Sequence, residues 1–201
     1  MKRRTFEEAM QHRRSYYSLC SDSLTLDEEI IHAIRQAVKH VPSAFNSQST
    51  RIVLLLGEHH RKLWELVKSV LKKLVPETAF PKTVEKIDRS FAAGRGTVLF
   101  YEDNQVIETL QKNYPLYSDN FPVWAQHTSA MHQFAVWTML EDMGLGASLQ
   151  HYNPLIDDEV RAAWALPHTW QLVAQMPFGL PLEEPEAKEF QDVSERIRIF
   201  E

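Results

Sequence analysis

The stretch Pro42-Ser43-Ala44-Phe45-Asn46-Ser47-Gln48-Ser49-Thr50-Arg51-Ile52-Val53-Leu54-Leu55-Leu56-Gly57 joins a helix stop, a polar loop and a strand. Pro42 ends a helix because it has no N–H to donate and its ring meets the preceding turn. Upstream, Ile30, Ile34, Val38 and Val41 recur at helical spacing. Thr25-Leu26-Asp27-Glu28 reads as the capping box that opens this helix. Downstream, Ile52 to Leu56 is a short β-branched and leucine run closed by Gly57, the pattern of a buried strand. A helix that hands over to a buried strand through a polar loop sets the frame for the rest of the chain.

Working outward, Thr5-Phe6-Glu7-Glu8 is a further capping box, for a helix ending near Gln11 to Arg14. His60 to Val75 predicts a helix with Leu63, Trp64, Val67, Val70, Leu71 and Leu74 on one face, ended by Pro76 and Pro81. Thr97 to Tyr101 predicts a second strand, and a helix follows Asn104. Tyr114 to Phe121 reads as an aromatic-rich loop. Ala125 to Met143 is a long helix, apolar on most sides through Met131, Phe134, Val136, Trp137, Met139 and Leu140. Such a helix lies centrally in a core or at an interface between copies. Gly144 and Gly146 end it. Ala147 to His151 and Gln171 to Pro177 are two more strands, with a short helix over Asp157 to Trp164 between them. An acidic tail, Glu183 to Glu195, runs into Arg196-Ile197-Arg198-Ile199-Phe200, which alternates like an edge strand. No repeat or linker divides the chain. The expectation is one α+β domain over residues 1–201, with a small central mixed sheet surrounded by helices.

Composition narrows the function. The 201 residues are 44% apolar and 24% charged, enough for a packed core and incompatible with global disorder. A net charge of -5 argues against a generally basic nucleic-acid binder. The single cysteine, Cys20, allows no internal disulfide and no cysteine-built zinc site, and suits the reducing cytoplasm. No signal peptide is legible, and the aliphatic run from Ile52 is far too short to cross a bilayer. His59-His60, His127 with His132, and His151 lack the i, i+4 spacing that sets two imidazoles on one helix face, so no metal is expected. The absence of GxSxG, GxxxxGK[ST] and GxGxxG disfavours a serine hydrolase, a P-loop nucleotidase and a Rossmann dehydrogenase. The 5 Trp, 6 Tyr and 10 Phe suggest an aromatic-walled pocket.

Three polar clusters could carry chemistry. Arg13-Arg14-Ser15 offers two guanidinium forks and a hydroxyl, a clamp for phosphate or carboxylate; its other reading is solvated surface. Arg196 and Arg198, two apart, share a face if extended. They are either an anion grip or partners of acids such as Glu183 or Glu195. Ser43, Asn46 and Gln48 present donors and acceptors suited to the edge of a planar heteroaromatic, or else serve their own turn.

These pieces, in this order, resemble the nitroreductase family of flavoproteins. Arg13-Arg14-Ser15 resembles the family's R-R/H-S opening, and Pro42 to Gln48 its P-S-x-x-N-x-Q loop. Gly144-Leu145-Gly146 follows a long helix into the strand that passes the flavin, and Arg196 with Arg198 stand where the family keeps a basic pair. Gln133 to Thr138 and Gly146 to Pro154 look closest to the branch of the yeast fatty-acid-repression-mutant protein and bacterial copper-induced nitroreductases, a branch associated with stress response. The resemblance implies FMN, NADH or NADPH as reductant, a homodimer with the long helix at its interface, and small flat aromatic or quinone acceptors reduced in two hydride-transfer steps. It implies neither nucleic acid nor membrane as partner. No side chain is required as a catalytic acid, base or nucleophile, since the flavin carries the chemistry.

Carried over by position, Arg13, Ser15, Arg196 and Arg198 would hold the phosphate and ribityl chain, and Arg14 would add charge or reach the ring edge. Ser43, Ala44, Phe45, Asn46 and Gln48 would line the ring or ribityl chain, from either subunit. Main chain at Leu149, Gln150 and His151 would pass the reactive nitrogen. Tyr17 stands where many relatives have a basic residue, and His151-Tyr152 where some have Glu-Gly. Tyr114, Tyr117, Phe121 and Trp124 are candidates for a wall that stacks on flat substrates, or for packing. Two other readings remain: a flavin-binding regulatory or redox-sensing protein, in lipid or stress signalling, and a helical interaction module with no cofactor.

Overall fold

The computed structural model describes residues 4–22 and 25–201. Helix α1 (Phe6–His12) begins at the capping box read from the sequence: the Glu8 N–H donates to the Thr5 hydroxyl, and the Glu8 carboxylate accepts from the Thr5 N–H. Strand β1 is Leu19–Cys20, and α2 is Asp27–His40. The cap of α2 sits one residue later than expected. Leu26 is the N-cap, and Glu29, not Glu28, accepts from its N–H. The Thr25 hydroxyl instead donates to the Met143 carbonyl at 3.4 Å, so a tertiary contact draws it off the helix end.

Strand β2 is Thr50–Leu56, and α3 (Gly57–Leu71) starts directly from it and ends before Val75. Leu74, expected on the buried face, is exposed. Pro81 opens a helix instead of ending one: it lies in the first turn of α4 (Phe80–Ile87), where a missing N–H breaks no bond. A π-helical turn, Asp88–Ala92, follows. Strand β3 is Gly96–Asp103, and α5 is Asn104–Asn113. The aromatic segment expected to be loop is instead a 3-10 turn, Pro115–Tyr117, followed by the start of α6 (Asn120–Asp142). Strand β4 is only Gly146–Ala147; beyond it Gln150 alone bridges to Gln175. Helix α7 is Asp157–Trp164, and β5 is Trp170–Pro181.

The strands form one sheet in the order β1-β5-β3-β2, with β4 also against β5. All of these pairings are antiparallel, so the sheet is antiparallel and not the mixed sheet expected; the one parallel contact, an isolated bridge from Ser15 to Ala147, adds no strand to it. Helices cover both faces. Val98 and Phe100 of β3 point to a core with Ile30 and Ile34 of α2 and Val136 and Leu140 of α6. Leu99 and Tyr101 point to the other core, with Leu63, Trp64 and Val67 of α3 and Val160 of α7. A bulge between Phe100 and Tyr101 pairs them with Ala174 and Leu172. It shifts the alternation of β5, so Leu172 and Ala174 serve opposite cores although two residues apart. The Ile52–Leu56 run is apolar on both sides because both faces are covered, yet β2 lies at the sheet edge. No helix among the described residues is long and apolar enough to cross a membrane.

Candidate functional site

The site is organised by an extended segment that leaves α1. Ser15 bridges in parallel to Ala147, and the Tyr16 N–H donates to the Ala147 carbonyl at 3.0 Å. Two glycines permit this. Gly144, at φ 77, turns the chain sharply out of α6. Gly146 lies so close to Tyr16 that a Cβ there would stand 2.7 Å from the ring's Cγ. Arg13, Arg14 and Ser15 are thus set beside β4 and the chain leaving it. That chain is pinned in turn. Gln150 exchanges both main-chain bonds with Gln175, at 2.7 and 2.9 Å. The buried Gln175 side chain accepts from the Tyr152 N–H at 2.7 Å and donates to the Asn153 side chain at 3.1 Å. Leu149 and Gln150 are half-buried here and His151 is exposed.

A groove of about 1250 Å³ opens over this segment, lined by Arg13, Arg14, Ser15 and Tyr17. The Arg13 guanidinium stacks on Trp137 of α6, 4.5 Å from the ring centroid. Both the Arg13 Nε and the Trp137 Nε1 are buried without a hydrogen-bond partner. Arg14 donates to the Glu186 carbonyl at 2.7 Å. The opposite wall is α4 with its π-helical turn, which supplies Lys82, Lys86 and Arg89. The sequence reading passed over these residues. Their i, i+4, i+7 spacing, which sets three cations on one helix face, was the signal that could have found them. Arg89 pairs with Glu85 at 3.3 Å, whereas Lys82 and Lys86 have no side-chain partner among the described residues.

The polar loop and the aromatic segment, read separately in sequence, form one assembly. Phe45, Asn46 and Gln48 all adopt left-handed backbone, at φ 55, 51 and 48. For non-glycine residues this stores strain of order 1 kcal/mol or more each. The loop is laced internally: the Gln48 N–H donates to the Ser43 hydroxyl, and the Asn46 and Ser47 N–H groups donate to the Ser43 and Ala44 carbonyls, each at 3.0 Å. The Phe45 ring is the hub of the wall. It lies 4.9 Å from Tyr114, 5.8 Å from Tyr117, 5.2 Å from Phe121 and 5.9 Å from Trp124, nearly parallel to the last at 18°. Phe121 is buried on Ile107 and Ala125, while Tyr114 and Tyr117 stay exposed.

Arg196 and Arg198 are not on an edge strand. A 3-10 turn, Val193–Glu195, precedes them, and the chain after it is irregular and exposed. Alternation alone makes no strand where no sheet edge lies beside it to complete the ladder. Neither guanidinium has an ion-pair partner among the described residues, so the expected alternatives, Glu183 and Glu195, do not neutralise them. Nor does the chain by itself bring them against Arg13. No group of three or more His, Cys, Asp or Glu that could hold a metal ion occurs among the described residues.

Comparison with known proteins bears on this geometry. The nitroreductase family profile matches residues 10–180. Nitroreductase FRM2 of Saccharomyces cerevisiae is 35% identical over 188 residues, 90% of this chain and 91% of its own length. The structure of nitroreductase CinD from Lactococcus lactis in complex with nicotinic acid superposes with a TM-score of 0.90 at 40% identity, covering 98% of this chain and all of that one. CinD in complex with chloramphenicol superposes equally well at 39% identity, over the same 98% of this chain and 100% of its own. By sequence over most of its length and by fold, the chain belongs to the nitroreductase family.

Proposed function

We propose that this oxidoreductase is an FMN-dependent, NAD(P)H-oxidising homodimer of the cytoplasm, a single domain over residues 1–201, reducing nitroaromatics, quinones or similar flat acceptors. The carrying observation is the Ser15–Ala147 bridge, which sets Arg13-Arg14-Ser15, on the wall of one groove, against the start of the chain that runs on to Leu149, Gln150 and His151. The residues present fit the cofactor. The groove exceeds the roughly 300–1,000 Å³ of ordinary small-molecule sites. Its lining includes Arg13, with a buried, unpartnered Nε, the Arg14 guanidinium and the Ser15 hydroxyl, which an anion would have to engage beside Glu183, Glu184 and Glu186. That donor set matches a phosphate dianion.

In this reading Arg13, Arg14 and Ser15 hold the phosphate and ribityl chain, and main chain at Leu149, Gln150 and His151 passes the ring, with Tyr17 at its edge. Bound FMN supplies hydride acceptance from the nicotinamide and donation to the acceptor. Two groups of residues are left over, and a second copy accounts for both. Arg196 and Arg198 lie on an exposed tail with Phe190, Ile199 and Phe200 also bare. Val123, Met131 and Phe134 of α6 are apolar and exposed as well. Dimerisation over α6 covers these surfaces, lets the tail arginines reach a phosphate, and lets Ser43, Ala44, Phe45, Asn46 and Gln48 line a ring. Tyr114, Tyr117, Phe121 and Trp124 then stack on the acceptor. The ligands of the two CinD complexes, nicotinic acid and chloramphenicol, each carry an aromatic ring and support that substrate class by relation.

The test is an absorbance spectrum of the purified chain before and after anaerobic NADH or NADPH. A yellow protein that bleaches is expected. A colourless protein that FMN cannot reconstitute refutes the reading.

A further inference from the structure

The strained loop needs something to hold it, and β3 ends in a group placed to do so. Glu102 is fully buried, yet among the described residues it faces no cation at ion-pair distance. Its carboxylate accepts instead from two neutral hydroxyls: Ser49 donates to one oxygen and Thr50 to the other, each at 2.5 Å. Consecutive residues of a regular strand point to opposite faces. Ser49 precedes the first residue of β2, so this alternation does not govern it, and both hydroxyls reach one carboxylate. Burial holds the Glu102 carboxyl above the usual carboxylate range, with the two hydroxyls pulling the other way. Burying a carboxylate is costly, and packing alone would be served by an apolar residue.

Neighbouring bonds point the same way. The Asp103 N–H donates to the Ser49 carbonyl at 3.0 Å. Arg51 bridges the Asp103 carboxylate at 3.0 Å and the Gln48 carbonyl at 2.6 Å. Glu102 and Asp103 thus grip every residue from Gln48 to Arg51. We propose that Glu102 is a positioning residue: by clamping Ser49 and Thr50 it keeps Phe45, Asn46 and Gln48 in the left-handed conformations that present them to the flavin. The second half of this proposal rests on the flavin reading above; the first half does not.

The test pairs hydrogen exchange of the 43–50 segment in the FMN-free full chain with FMN affinity by flavin-fluorescence titration. Glu102→Ala is expected to speed exchange of the Asn46, Ser47 and Gln48 amides roughly tenfold and to raise the Kd for FMN about tenfold. Glu102→Gln, which keeps one acceptor, is expected to recover part of both. Val67→Ala, in the α3 core, lowers the melting temperature and leaves both readouts unchanged. Should Glu102→Ala not fold, Thr50→Val removes a single donor and gives the same pair of effects at smaller size. Unchanged exchange in Glu102→Ala, or an equal loss in Val67→Ala, overturns the proposal. If the wild-type chain takes up no FMN, the flavin reading fails instead, and the exchange result alone decides whether Glu102 holds the loop.

Discussion

Gly146→Ala should damage the site through one steric contact. A Cβ built at Gly146 would meet the Tyr16 Cγ at 2.7 Å, its Cδ2 at 2.8 Å and its Cβ at 3.0 Å, whereas ordinary contact begins at 3.4 Å. These atoms are at the base of the ring, and the Tyr16 backbone is tied to Ala147, so a rotamer change cannot relieve the clash. The two segments must part by about 0.7 Å, which loads the Tyr16–Ala147 hydrogen bond and the Ser15 bridge. Overpacking of this kind costs about 1–3 kcal/mol. For a domain of this size that lowers the melting temperature by roughly 2 to 12 °C. Because the parting also moves Arg13-Arg14-Ser15 away from Leu149, FMN affinity should fall alongside stability. The assay is thermal unfolding of the full chain with an FMN titration. A double-mutant cycle with Tyr16→Ala isolates the contact, since the second substitution should harm the Gly146→Ala background less than the wild type. A melting temperature unchanged within a degree, or strict additivity in the cycle, refutes the reasoning.

Other outcomes are open to direct measurement. Arg198→Ala should weaken FMN retention during gel filtration, and unchanged flavin content removes the tail from the phosphate site. Tyr114→Ala should raise KM for a flat acceptor several-fold with less effect on kcat, given about 0.5–1.5 kcal/mol per aromatic pair; an unaltered KM makes the residue a packing element only. Burial holds the His60 imidazole down to about 4, while an unfolded histidine titrates near 6.5. Between these values the unfolded chain binds a proton that the folded chain refuses. The stability from this group is therefore full above pH 6.5 and falls as pH drops toward 4, by about 3 kcal/mol in all. His60→Gln should flatten that part of the urea-midpoint profile, and parallel profiles would exclude the assignment.

The motif Arg13-Arg14-Ser15 was legible through its order with the other motifs, since an arginine pair alone reads equally as solvated surface. That it lies against Gly146–Ala147 was not, since a parallel bridge between residues so far apart in the chain leaves no local pattern. Lys82, Lys86 and Arg89 are hidden in the sequence because Pro76 and Pro81 read as helix breakers. Proline is harmless in a first turn, and only the fold shows which turn it occupies. The tail carried a convincing strand alternation and formed none. Periodicity records which faces a segment could offer, not whether a partner strand is there to accept it.

The sequence by itself determined the family, most helices, the two central strands and the residue types of the candidate site. Local hydrophobic period, caps and short collinear motifs act over a few residues and need no knowledge of the rest. Tertiary structure alone decided that Phe45 is the hub of the aromatic wall, that Lys82, Lys86 and Arg89 of α4 and its π-helical turn line the groove, and that Glu102 meets Ser49 and Thr50 at the exit of the polar loop. Each of these depends on contacts between distant segments, created when both faces of one sheet are buried at once, and each is invisible until the chain has closed on itself.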